Sequence, residues 1–352
     1  MHDLHPISRR HLDAMTGELG IFQHAIGSRP DPAHGYCVDD VARALEVDLL
    51  HGRSLGWSVV AESVRRGLRF LDDAFDAPSG RFMNFRQVDG EWIDGPGSND
   101  SLGRAMLALG ETIAGAPDAR IVEAAESLFA RALPAAGKVT SPRAQASVVL
   151  ACAAVTRATA VTGSSDERDL MLGAAASAAM RRLATGLHVR FLDFARPGWP
   201  WPEATLTYEN ALLPRALIVA GHRLGADAML RIGLQVLDWL IDVQTTPEGG
   251  FSPVGNGWWP RGGEKAQFQR QGRSGFALPK RGSEARHILI GHCGMMAPAK
   301  LRRPRQQVVQ MAAPPGRVLA FTEALGFGRV QNLLNPPAHP RGGFGLRRPN
   351  RL

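Results

Sequence analysis

Apolar positions at helical spacing fill most of this chain, and the stretches between them are loops rich in glycine and aromatic residues. Residues 7–26 read as an opening helix running into a loop. After Asp39-Asp40, the residues Val41, Ala44, Leu45, Val47 and Leu49 mark another helix; acidic residues at such a start suit the free N–H groups of a helix N-terminus. Further helices are expected over 57–75, from Asp100 onward, and over roughly 117–133, 141–161, 166–187, 207–224 and 226–243. Long loops separate some of them: GRFMNFRQVDGEWIDGPGSND (80–100), 188–206 and 245–264. No strand run interrupts the pattern apart from short hairpin-like pieces in the aromatic loops.

Two features repeat. Asp39-x-x-x-Arg43-Ala44-Leu45 matches Asp100-x-x-x-Arg104-Ala105-Met106 at two helix starts. Gly80-Arg81-Phe82 with Gly90-Glu91-Trp92 is echoed by Gly249-Gly250-Phe251 with Gly257-Trp258. A single acid–arginine pair at i,i+4 adds only a few tenths of a kcal/mol to a helix. Its recurrence after comparable loops points to paired helices whose inner members all begin at one rim. The fold class expected is all-α, an (α/α)6 toroid of helical hairpins that is incomplete or irregular at the C-terminus; an open superhelix is the other way to stack such pairs. Nine helices are readable before residue 264, whereas six pairs need twelve.

Charge divides the chain unevenly. Residues 264–352 hold 16 Lys and Arg against three Asp and Glu, while the remainder holds 25 against 30. A mildly acidic body over 1–268 is thus expected to carry a basic Pro/Gly/Arg-rich segment over 269–352. Only the stretches 286–297 and 315–326 of that segment suit short helices. It reads either as a replaced or frame-shifted C-terminus, or as a disordered basic extension that meets an acidic partner. A hydrophobic share of 44% supports a substantial core. Cys37, Cys152 and Cys293 lack disulfide or metal-ligand spacing. With no signal peptide or membrane span legible, a cytoplasmic location is expected. No specific nucleic-acid motif, P-loop or dinucleotide fingerprint is present, so no metal and no cofactor is expected.

The candidate chemistry centres on Trp199-Pro200-Trp201-Pro202-Glu203, which runs into Tyr208-Glu209-Asn210. Indole faces suit the C–H faces of sugar rings, and carboxyl groups bind hydroxyls or move protons. If the inner helices start at one rim, Asp39, Asp40, Asp100 and Glu209 converge there. Glycoside hydrolysis needs two carboxyl groups, one protonated and one ionised. Asp100 and Glu209 are the expected catalytic pair, with Asp39 or Asp40 orienting hydroxyls. His34, Tyr36, Arg104, Trp199, Trp201, Glu203, Tyr208, Trp258, Trp259 and Lys265 are the expected substrate-binding residues. The competing structural reading makes the aspartates helix caps and the aromatic residues core.

HGYCVDDVARAL (34–45), GSNDSLGRAMLALGE (97–111), WPWPEATLTYENALLPRALI (199–218) and GGFSPVGNGWWPRGGEKAQF (249–268), in this order, resemble a bacterial family of (α/α)6-barrel proteins. That family is encoded beside, or fused to, glycosyltransferases and is described as glycosyltransferase- or glycosidase-like. The similarity spans roughly residues 7–268. It implies a toroid, an oligosaccharide or polysaccharide substrate and a glycosyltransferase as partner. In such relatives the chain continues past the GEKAQF-like motif into apolar helices that close the barrel; here it passes to Gln269-Arg270-Gln271-Gly272-Arg273. Glycosyl transfer by the chain itself is not expected, because no alternation of strands and helices for a nucleotide-sugar domain is visible. The functional expectation is a glycoside hydrolase; a non-catalytic glycan-binding domain and a sugar epimerase or isomerase are the alternatives.

Overall fold

The computed structural model describes residues 7–162, 166–247, 249–255 and 257–266. The chain divides into two units, residues 1–293 and 294–352. The second unit lies outside the described residues, as do the basic segment 269–352 and the helices expected over 286–297 and 315–326.

Nine helices occur among the described residues: α1 (Arg10–Ala14), α2 (Val38–Leu55), α3 (Trp57–Ala74), α4 (Asn99–Gly115), α5 (Ala119–Ala136), α6 (Pro142–Thr162), α7 (Glu167–Phe194), α8 (Leu212–Leu224) and α9 (Asp227–Val243). The strands are β1 (Phe22–Ile26), β2 (Arg29–Cys37), β3 (Phe75–Asp76), β4 (Arg81–Phe82), β5 (Phe85–Arg86), β6 (Thr205–Leu206) and β7 (Trp259–Pro260). The architecture is all-α in its bulk. Consecutive helices pair as α2–α3, α4–α5, α6–α7 and α8–α9, and α2, α4, α6 and α8 form a row in which each packs on the next.

Burial explains which member of each pair lies inside. Along α4 every residue from Ser101 to Gly110 is buried, as befits a helix surrounded by others. Its partner α5 buries only a stripe that includes Ile121, Ala125, Leu128, Phe129 and Ala132. α3 likewise buries Val60, Val64, Leu68 and Leu71 and leaves Arg65 and Arg69 outside. α6 is long and apolar enough to cross a membrane, but 61% of that stretch is buried, against α4, α7 and α8.

Close approach within the row depends on a glycine. A Cβ at Gly110 would lie 2.7 Å from the Ala151 carbonyl oxygen and 2.8 Å from its Cα, so α4 and α6 touch backbone to backbone. Gly→Ala in an open helix gains about 1 kcal/mol, whereas overpacking a rigid contact costs about 1–3 kcal/mol. Since backbone cannot swing aside, overpacking wins: Gly110→Ala is expected to be net destabilising in urea unfolding, and a gain in stability would show that the helices separate freely.

Three elements differ from the pattern-based expectation. The opening helix shrinks to α1, and its second half becomes β1, which pairs antiparallel with β2 from Phe22–Tyr36 to Ile26–Arg29. The turn between them is Gly27-Ser28, with φ +64° at Gly27, the handedness that two-residue hairpin turns need. β5 extends this to a three-stranded sheet in the order β1-β2-β5. α7 runs on to Phe194 because Leu187 and Phe191 continue its buried stripe. α8 starts at Leu212 rather than 207, because Thr207 and Asn210 exchange bonds in a turn: Thr207 N–H donates to Asn210 Oδ1 at 3.2 Å, and Asn210 Nδ2 donates to the Thr207 carbonyl at 3.1 Å.

The segment before β1 is tied down by charge. Arg9 is 8% exposed and its Nη1 lies 2.5 Å from Oδ1 of Asp48 on α2, itself 2% exposed. The Ser63 hydroxyl from α3 also donates to Asp48.

Candidate functional site

The first turns of α2 and α4 and the turn before α8 meet at one place. Ser98, not Asp100, caps α4, its side chain accepting from Ser101 N–H at 3.2 Å. Asp100 instead accepts a short hydrogen bond from the Tyr208 hydroxyl. Arg104, nearly buried, lies 2.8 Å from Glu209 Oε1 and 3.6 Å from Asp39 Oδ1. Arg43 reaches Asp40 Oδ1 at 2.9 Å and Glu209 Oε1 at 3.4 Å. The ion pairs therefore differ from the local i,i+4 pattern: Arg43 pairs with Asp40 on its own helix and with Glu209, and Arg104 bridges to Glu209 and Asp39 on other elements. The Cys37 thiol donates to Asp40 Oδ2 at 3.0 Å, and burial pushes that thiol up, so it stays protonated.

Glu209 has φ +45°, a left-handed conformation that costs a non-glycine residue of order 1–3 kcal/mol when held there. The guanidinium groups of Arg43 and Arg104 meet the carboxylate that this turn projects.

The electrostatics separate the acids. Burial pushes the Asp39 carboxyl up to about 6; Arg43 opposes this, and Asp100, Asp40 and Glu209 push the same way as burial. Two helical turns further, Glu46 is pushed up to about 8, first by burial and then by Glu111, against Arg215. Arg215 on α8 lies 3.9 Å from Glu111 on α4. Sequence reasoning missed Glu46, Glu111 and Arg215. Their signal was legible: 39, 43 and 46 fall on one helical face, as do 100, 104 and 111, so each inner helix carries a polar stripe where a core helix should be apolar.

The structure brings Asp39, Asp40, Asp100, Arg104, Tyr208 and Glu209 together, and it places the other expected binding residues elsewhere. Trp201 is fully buried and Trp199 is 5% exposed. Both belong to an indole cluster in which Trp199 meets Trp239 and Trp259 edge-on at 5.5 and 5.2 Å, and Trp201 stacks on Trp239 at 6.2 Å. A sugar cannot lie on their faces; the prolines fix them into the core. Trp259 stacks on Trp239 and is only partly accessible. Trp258 is 49% exposed. Tyr36 is buried and stacks on Phe22 at 4.8 Å. His34 sits on the exposed hairpin beside Asp31 and His24. Lys265 donates to the carbonyls of Val243 and Ser252 at 2.9 and 3.1 Å, which makes it a clamp for the segment after α9. Glu203 accepts from Arg143 through both oxygens, at 3.0 and 2.8 Å.

Among the described residues no group of three or more His, Cys, Asp and Glu is disposed to hold a metal ion. A cavity of about 780 Å³ lies away from the rim, lined mainly by apolar residues of α5 and α7 such as Leu133, Met171, Leu172 and Ala179. Its size suits a ligand, but the converging acids are at the rim. Comparison of the chain with protein-family models finds no match, and a search of curated proteins finds none.

Proposed function

We propose that the chain is a carbohydrate-active protein, a glycoside hydrolase that works with two carboxyl groups at the rim. The observation that carries this reading is the unequal environment of neighbouring acids: Asp39 is pushed up to about 6, beside Asp100, which accepts from Tyr208. A carboxyl that holds its proton up to about pH 6, beside a second carboxyl, supplies the acid and the base that glycosidic cleavage requires. In this reading Asp39 gives its proton to the glycosidic oxygen as the C–O bond breaks. Asp100 takes a proton from the water that attacks the anomeric carbon; Asp100 then releases that proton to solvent and Asp39 regains one from it, which restores both carboxyl groups. Arg104 and Arg43 pair with the Glu209 carboxylate, so Glu209 serves to accept from sugar hydroxyls. This revises the expected pair of Asp100 and Glu209.

The exposed ring of Tyr208 and the exposed indole of Trp258 supply apolar faces for a pyranose. The four hairpins are, in this reading, part of an (α/α)6 toroid of the kind suggested by the resemblance to glycosyltransferase-associated barrels. The epimerase alternative would need a histidine at the reacting carbon, and His34 sits on the hairpin with Asp31 and His24. A screen of oligo- and polysaccharides tests the proposal, scored for new reducing ends and for binding. Cleavage by the wild type that is lost in Asp100→Asn is expected. Binding without cleavage would move the chain to the glycan-binding alternative, and the absence of both would overturn the carbohydrate reading.

A further inference from the structure

Arg143 lies in the first turn of α6 and is 5% exposed. Among the described residues, its side-chain hydrogen bonds all go to one segment, residues 203–210. Nε donates to the Tyr208 carbonyl at 2.7 Å, and Nη1 donates to both oxygens of Glu203. Nη2 donates to Thr207 Oγ1 at 2.6 Å and to Asn210 Oδ1 at 3.4 Å. The guanidinium carbon also lies 4.5 Å from the centre of the Tyr208 ring. A planar fork with five N–H donors can hold these acceptors at once, and a lysine cannot. The bonds fall on both sides of Glu209, whose left-handed backbone needs outside restraint.

We infer that Arg143 is a positioning residue: from α6 it locks the segment 203–210 into the one conformation that presents Tyr208 to Asp100 and Glu209 to Arg104. The inference rests on the proposed reading only in taking Tyr208 and Glu209 to face the substrate. What it adds is a site whose geometry is set by a buried side chain on a third inner helix, one that contributes no group to the chemistry.

Tyr208 supplies a readout that separates positioning from a simple charge effect. Its phenol is pushed above the ordinary 10.0 by burial and by the bond to and charge of Asp100, while Arg143 pulls it down and Glu209 pushes it up. If Arg143 were merely a nearby charge, its removal would raise the phenol further. If it holds the segment, removal frees Tyr208 from Asp100 and from burial, and the phenol falls back toward 10.0. The chain has two tyrosines, so ring-labelled tyrosine gives two carbon NMR signals, assigned with Tyr36→Phe.

The full chain is titrated as wild type, Arg143→Met and Arg143→Lys. The expected result is a Tyr208 signal that moves and titrates lower in Arg143→Met, with incomplete rescue in Arg143→Lys. A higher titration, or an unmoved signal, overturns the inference. Should Arg143→Met fail to fold, Thr207→Val and Glu203→Gln each remove one tie and retain the arginine. A downward shift in both, smaller than full release, is expected, and no shift in either overturns the inference equally. Because the readout is geometric, an absence of glycan cleavage leaves it intact, and its failure leaves the glycan reading intact.

Discussion

Asp39→Asn is expected to lose about 10²–10⁴-fold in turnover on the glycan that the wild type cleaves, the range for removing one positioned proton donor, and to gain stability at pH 7. The two effects share one cause. The Asp39 carboxyl moves from 3.8 to about 6 on folding, so the folded state prefers it protonated. The stability this group contributes is therefore fully present below about pH 3.8 and is lost as pH rises through about 6. At pH 7 the wild type holds a charged carboxylate in a partly buried site at a cost of order 1–3 kcal/mol, and the asparagine variant does not. Urea unfolding at pH 4 and pH 7 checks this: the variant's advantage grows with pH. If Asp39 is the proposed donor, kcat/KM of the wild type is expected to fall above about pH 6, as its carboxyl ionises. A variant that loses turnover and stability together would make Asp39 a structural residue of the helix start. One that keeps full turnover would remove it from the reaction.

The second large effect is expected at the N-terminal anchor. Arg9→Met takes the ion-pair partner from the buried Asp48 carboxylate and leaves it the Ser63 hydroxyl as a hydrogen-bond donor, and breaking one partner from a buried pair costs about 3–5 kcal/mol. Removing both charges with apolar groups of similar volume restores much of the loss, because desolvation of the pair offsets most of its attraction. Arg9→Met/Asp48→Leu should therefore unfold at a denaturant concentration well above that of Arg9→Met. If the double variant is no better than the single, the loss belongs to the aliphatic stem of Arg9 rather than to the orphaned charge.

Particular residues show why the sequence disclosed the fold better than the site. The apolar stripes of α2, α3, α5 and α9 need only local spacing, and their ends fall within a few residues of those expected. The β1–β2 hairpin was not legible because Pro30 and Pro32 argue against a strand, and only the Gly27-Ser28 turn signals one. At the rim, the Asp-x-x-x-Arg repeat was visible, but a chain without coordinates gives the local pairing as its simplest meaning. Arg104 in fact bridges Asp39 and Glu209, which lie 65 residues before it and 105 after it in the numbering. The tryptophans misled for a physical reason: an indole beside a proline suits a rigid platform and a rigid core equally, and only burial distinguishes them. Arg143 carried no signal at all, since its acceptors are a carbonyl and polar side chains 60 to 67 residues away.

The short pairing of β6 with β7 joins Thr205 to Pro260 and Leu206 to Trp259, and Trp259 in turn rests on Trp199 and Trp239. The loop that ends in Glu209 and the loop that carries Trp258 are thus one mechanical part. On the proposed reading, a glycan that draws one loop toward itself is expected to move the other, so that what Tyr208 and Trp258 contribute to its capture is not a pair of independent quantities. Measured singly they would count the ordering of the joined loops twice, and only the doubly altered chain would reveal how much of the affinity is shared.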